Sequence, residues 1–314
     1  MATDFKKRRI DYLNNWPNVE PFEIEKVYCD LVKKIKTEEG TVFVPFPLKE
    51  NLDVSFNKTV SFMIDAVEQL EKYPNFSYEF IFKAYDCYMD LYHPGVHQIT
   101  DKNKKLCDNE WKNIFNVHPG LLGAFERLIS LMPVRACQYL YLRLAEKSVE
   151  NKAYQRVTTD ISGGVSANSR KRKDLVDAIE VKYGVDYNRY PDTIRKASLL
   201  YRYILKNSNV SIDAQTYDIA IEDKLHILVS GFLYTLRNDI MHGSSISITK
   251  SSKTTLSTYA IDYFAFLLLY YLLIILIVNK NPQNYSVDVY DRMANNIDRN
   301  IHLYMQLFDR EVER

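Results

Sequence analysis

Glycine and proline are scarce, 9 and 10 in a chain of 314 residues. A fold made of strands and tight turns consumes both residues, so their shortage argues against an all-β chain and for long helices. Cysteine is scarcer still. Cys29, Cys87, Cys107 and Cys137 form no CxxC pair, which leaves neither a disulfide framework nor a paired-cysteine zinc site. Charge of one sign is also missing. Lys and Arg total 41 against 40 Asp and Glu, a net charge of +1, so no global field recruits a polyanion and any such contact must be local. The opening residues MATDFKKRRIDYLNNW carry charges but no apolar stretch of the signal-peptide kind, and the expected location is cytoplasmic. Cys87, His93, His97 and Cys107 match no standard zinc spacing. Neither a metal nor a cofactor is implied.

What the chain does have is apolar residues at helical spacing. Ile24, Val27, Tyr28, Leu31, Val32 and Ile35 recur at steps of three and four, the pattern of an amphipathic helix. The same reading predicts helices at about 59–73, 77–92, 111–117, 121–132, 134–149, 169–183, 192–206, 218–241 and 288–311, with Asp192 as an N-cap. TVFVPFP (41–47) reads as a short extended piece limited by its prolines. Trp16 and Trp111 are expected to anchor the N-terminal core. The fold class is therefore all-α. The polar stretch TTDISGGVSAN (158–168) carries the Gly163-Gly164 pair and reads as a loop or boundary. It divides the chain into an N-terminal helical array, 1–157, and a second helical domain, 158–314.

The run YFAFLLLYYLLIILIV (263–278) is apolar throughout. A bilayer span needs about 20 such residues, with a lower limit near 17, and this run falls just short. A helix apolar on all sides also suits the centre of a protein core or a dimer interface. The core reading is preferred and no membrane contact is expected.

The segment that carries chemistry is Arg237-Asn238-Asp239-Ile240-Met241-His242-Gly243. It follows an apolar stretch (Ile221, Leu225, Leu228, Val229, Phe232, Leu233, Leu236) and turns polar within one helical turn. Gly243 suits the left-handed position just past a helix end, which puts His242 near the C-cap. Asn238 and His242 are four apart and share a face. A guanidinium, an amide and an imidazole are thereby offered together. Arg grips two phosphate oxygens with its planar fork, and His exchanges a proton near neutral pH. Asp239 is expected to face solvent or to pair with Arg237. The basic run Arg170, Lys171, Arg172, Lys173 is a weaker candidate for tracking an RNA backbone. His226 reads as a packed core residue and His118 as a loop residue without a partner.

Arg-Asn-Asp-x-x-His-Gly at the end of a long helix, followed by a Ser/Thr-rich loop (244–258) and an apolar helix, resembles the signature of the HEPN superfamily. The resemblance spans about 170–314. It implies a helical bundle that forms a homodimer and joins two copies of the motif in one cleft. Many members are metal-independent endoribonucleases that leave a 2′,3′-cyclic phosphate and a 5′-hydroxyl. By that resemblance His242 is the general acid or base, Arg237 stabilises the phosphorane, and Asn238 orients His242 or the phosphate. RNA is the implied substrate, and the implied role is that of a toxin or antiviral effector. The N-terminal half, or a regulatory protein partner, would control it. The alternative the family allows is a non-catalytic dimerisation or nucleotide-binding module, in which Leu267–Ile277 would form the contact between copies.

Overall fold

The computed structural model describes residues 2–146, 152–161, 163–184, 190–241 and 248–313. Helix makes up 76% and strand 3%, as the shortage of turn residues requires. In chain order the helices are α1 (Ala2–Asn14), α2 (Glu23–Glu39), α3 (Val54–Leu70), α4 (Pro74–Tyr92), α5 (Ile99–Lys105), α6 (Trp111–Val117), α7 (Pro119–Ser130), α8 (Val134–Ala145), α9 (Ala153–Thr158), α10 (Ala167–Tyr183), α11 (Tyr190–Lys206), α12 (Ile221–His226), α13 (Tyr234–Met241), α14 (Leu256–Lys280) and α15 (Val289–Glu313). Two π-helical turns, Leu106–Glu110 and Ile227–Leu233, join α5 to α6 and α12 to α13. Prolines 74 and 119 begin helices instead of merely breaking them, because a preset φ and a missing N–H suit the first turn. Asp53 caps α3 by accepting from the Phe56 amide at 2.8 Å, and Gly40 ends α2 at φ 80°. Asp192 lies in the first turn of α11, not at its cap.

A hairpin, β1 (Asn209–Ile212) and β2 (Gln215–Asp218), stands where the sequence predicts loop and the start of a helix. The strands are antiparallel, with Val210 opposite Tyr217. Asp213 takes the left-handed conformation, φ 53°, in the turn, a position its short polar side chain tolerates. Val210, Ile212 and Tyr217 are buried, and the pair packs against α10 and α11.

The apolar run is the axis of the molecule. α14 is long and apolar enough to cross a membrane, yet 94% of its most hydrophobic window is buried inside the protein. α4 and α15 pack along it, with α2 and α8 beside them. Its tyrosines find partners in the interior. Tyr263 donates to the Val42 carbonyl at 2.5 Å, the Phe46 amide donates to the Tyr270 hydroxyl at 2.7 Å, and Tyr271 donates to Asn296 Oδ1 at 2.8 Å. Segment 41–47 has no regular secondary structure and belongs to no sheet. The Val44 amide donates to Asn300 Oδ1 at 2.8 Å, and the amides of Asn296 and Asn300 donate back to the Val44 carbonyl at 3.0 and 2.9 Å. Side chains of α14 and α15 thus do the work of a neighbouring strand, since a buried backbone must place its polar groups somewhere.

One continuous buried cluster includes residues from both sides of position 157. α15 packs on α7 and α2, so the N-terminal helices wrap the C-terminal ones. Leu267–Ile277 are no more than 2% exposed within the protomer and present no surface to a second copy. Trp111 is a core anchor at 1% exposure, whereas Trp16 is 68% exposed, its ring beside Tyr12, and is no part of the core.

Candidate functional site

The helix that carries Arg237 is interrupted. α12 passes through the π turn Ile227–Leu233 before α13 begins. A π turn adds a residue to the helical circuit and re-aims every side chain after it, which is why such turns gather at functional sites. The whole turn is buried. Gly231 permits this, because a Cβ there would lie 3.1 Å from both Leu140 Cδ1 of α8 and Val157 Cγ2 of α9. Burial ends after Leu236. Arg237, Asn238, Asp239 and Ile240 are half-buried and Met241 is exposed.

Arg237 and Asn238 are in contact, Nη1 donating to Asn238 Oδ1 at 3.1 Å. The guanidinium carbon lies 5.6 Å from the centre of the Phe82 ring on α4, within cation–π range. Asp86, one turn further along α4, is close enough to feel that guanidinium. Its carboxyl is pushed above the usual range by burial and by Asp90, with Lys102 and Arg237 pulling it back. The arginine is thus braced by one aromatic face and one amide, and the residue as a whole is half-buried.

Asp239 neither pairs with Arg237 nor faces solvent alone. It accepts from the Tyr139 hydroxyl at 2.8 Å and forms an ion pair with Arg143, both from α8. Burial, and then the Asp239 charge, push the Tyr139 hydroxyl far above its ordinary value, so it stays a donor. The one negative charge in the motif is therefore matched by a cation, and it repels an incoming phosphate less than a bare carboxylate would. A third guanidinium, Arg156 of α9, donates to Thr235 Oγ1 at 2.6 Å and to the Ser230 carbonyl at 3.0 Å and lies over Tyr234. Tyr78 of α4 donates to the Leu233 carbonyl, and Tyr78 also feels the charges of Asp262 and Arg237. Three helices, α4, α8 and α9, converge on α13 and the end of the π turn.

His242 and Gly243 lie outside the described residues, as do 244–247. The structure brings Arg237 and Asn238 together and says nothing of the imidazole. The basic run is split by the helix it sits on. Arg170 is exposed, but Arg172 is buried, its Nε donating to the Val157 carbonyl at 3.0 Å and its ends 3.5 and 3.7 Å from Asp223 and Asp108. Lys171 lies 3.3 Å from Asp223 and Lys173 2.6 Å from Asp177. His226 is fully buried, as expected of a packed histidine. His118 does have a partner, for its ring stacks on Tyr290 at 3.6 Å. Cys107 is buried and Cys87 half-buried. Among the described residues no three His, Cys, Asp or Glu side chains gather closely enough to hold a metal.

The residues that sequence reasoning missed are Phe82, Asp86, Tyr139, Arg143 and Arg156. Tyr139 and Arg143 stand four apart on α8, a spacing that places them on one face, but nothing in the sequence says which helix that face meets. Compared with models of known protein families, with characterised proteins and with solved structures, the chain shows no match.

Proposed function

We propose that the chain is a metal-independent endoribonuclease of the HEPN type, acting as a homodimer on RNA. The ribose 2′-oxygen attacks the adjacent phosphorus as a base takes its proton. The bond to the 5′-oxygen breaks as that oxygen is protonated, leaving a 2′,3′-cyclic phosphate and a 5′-hydroxyl. His242 is assigned one of the two proton transfers, Arg237 the charge on the phosphorane oxygens, and Asn238 the orientation of Arg237 or of the phosphate. Resemblance extends this to a toxin or antiviral effector, held in check by the N-terminal half or by a protein partner.

One observation carries the reading. A helix that is buried along its length ends in a half-open Arg237–Asn238 pair while the adjacent carboxylate is taken up by Arg143 and Tyr139. An arginine in the last turn also answers the helix dipole; what favours phosphate is that the acid beside it is already neutralised. Of the basic run, Arg170 and the outer parts of Lys171 and Lys173 are the portions within reach of an RNA backbone; Arg172 belongs to the interior.

The test is incubation of the purified chain with defined RNAs in EDTA, with product ends identified by mass. Cleavage to cyclic-phosphate ends is expected, and Arg237→Ala or His242→Ala should slow it by about 10²–10³-fold, the usual cost of losing one transition-state contact. Undiminished cleavage by either variant would overturn the mechanism. No cleavage of any RNA by the dimeric protein would leave the fold as a non-catalytic module.

A further inference from the structure

A second site lies at the opposite end of α14, apart from the motif and independent of the nuclease reading. It is a cleft of about 320 Å³ lined by Glu110, Asn113, Ile114, Val117, His118 and Asn279. Glu110 closes the other π turn, Leu106–Glu110, so both π turns of the described chain lead directly into a polar cluster. His93, at the C-terminus of α4, lies eleven residues beyond Phe82, roughly 16 Å along the helix at 1.5 Å per residue.

The Glu110 carboxylate is built into place. The Tyr92 hydroxyl, held protonated by burial and then by the nearby Glu110 carboxylate, accepts from Asn279 Nδ2 at 3.0 Å. His93 Nε2 stands 3.2 Å from Glu110 Oε1, yet it is not aligned as a hydrogen bond and remains a buried ring nitrogen without a partner. Glu110 itself keeps about a quarter of its side chain, 26%, in contact with solvent. Exposed Asn113 flanks it, Ile114 and Val117 form an apolar side, and His118 stacked on Tyr290 forms the rim. The volume is at the lower end of ligand sites, which run from about 300 to 1,000 Å³. That is room enough for one flat ring system.

We propose that this cleft binds a guanine base through the Glu110 carboxylate. A carboxylate only accepts hydrogen bonds, and it is best served by two parallel N–H donors. Guanine offers that edge in its adjacent N1–H and 2-amino group. Adenine, cytosine and uracil each set an acceptor beside the donor, which places a lone pair against a carboxylate oxygen and penalises them. The amides of Asn113 and Asn279 supply donors for the base's remaining acceptors, and the apolar side accepts its faces. A carboxylate repels phosphate, so the phosphate of a nucleotide stays outside the cleft.

Calorimetric titration of the full chain with GMP, IMP and AMP tests this. IMP keeps N1–H but lacks the 2-amino group. GMP should bind about 10- to 100-fold more tightly than AMP, the worth of one hydrogen bond to a charged group, with IMP between them. Glu110→Gln should erase the preference, and Asn113→Ala, on the exposed rim, should weaken GMP without altering thermal stability. A short RNA containing one unpaired guanosine, compared with its adenosine counterpart, distinguishes a base within RNA from a free nucleotide as the ligand. Absence of GMP binding at millimolar concentration, equal affinity for AMP, or full affinity in the Asn113 variant would overturn the proposal.

Discussion

A carboxyl group inside an apolar helix destabilises the fold unless it keeps its proton or meets a cation. Asp262, on α14 near the motif, is buried, and burial together with the neighbouring carboxyl of Glu79 raises it well above its ordinary value of 3.8. The sign follows from linkage. Once pH passes 3.8 the unfolded chain releases this proton while the folded chain retains it, so stability falls as pH rises from there toward the folded value. Asp262→Asn removes the penalty. It should raise Tm by about 2–4 °C at pH 8, the shift that roughly 1 kcal/mol brings in a mid-sized chain, and change little near pH 4. A lower Tm at pH 8 would mean that the carboxylate is needed in its charged form. Asp239, a few residues past the π turn Ile227–Leu233, shows the opposite solution, with Arg143 and Tyr139 supplied to it from α8. The contrast shows what a sequence reveals at this scale. Arg237 and Asn238 are neighbours in the chain and their pairing is legible there. The residues that brace Arg237 and discharge Asp239 lie about a hundred positions or more away, so only packing assembles them.

Among the elements, helices were legible wherever one face is apolar and the other wet, as in α2 and α15. The π turn was not. Ile227–Leu233 is buried on all sides, so an added residue leaves no break in a three-and-four pattern. The hairpin escaped because four-residue strands give period-two alternation too little length to show against helical neighbours. Gly231 is the test of the π turn. Glycine inside a helix normally costs about 1 kcal/mol relative to alanine, and an added methyl would ordinarily stabilise. Here it meets Leu140 and Val157 at 3.1 Å. Gly231→Ala should therefore be close to neutral, and Gly231→Val should destabilise by roughly 1–3 kcal/mol through overpacking, read from the shift in urea midpoint. A valine variant as stable as the parent would show that α8 and α9 yield freely and that the close approach is unimportant.

At the scale of the whole molecule, the boundary drawn at the polar stretch near 158 is a boundary of composition, and the core does not respect it. α14 lies against α4, α2 and α8 from the N-terminal half as well as α15, and the strap 41–47 holds its tyrosine hydroxyls. Removing residues 1–157 would uncover most of an apolar helix and leave Tyr263 and Tyr270 without those partners. Expressed alone, residues 158–314 should aggregate or melt without a cooperative transition, while the full chain should unfold in one step followed by circular dichroism. A soluble fragment with a sharp transition would show instead that the C-terminal helices close a core of their own. The distinction bears on regulation. If the halves share one core, control of the Arg237 site cannot come from a detachable domain swinging away. It has to pass through elements packed on that site, and α4 reaches both ends as α14 does, with Phe82 and Asp86 beside the guanidinium and His93 beside Glu110.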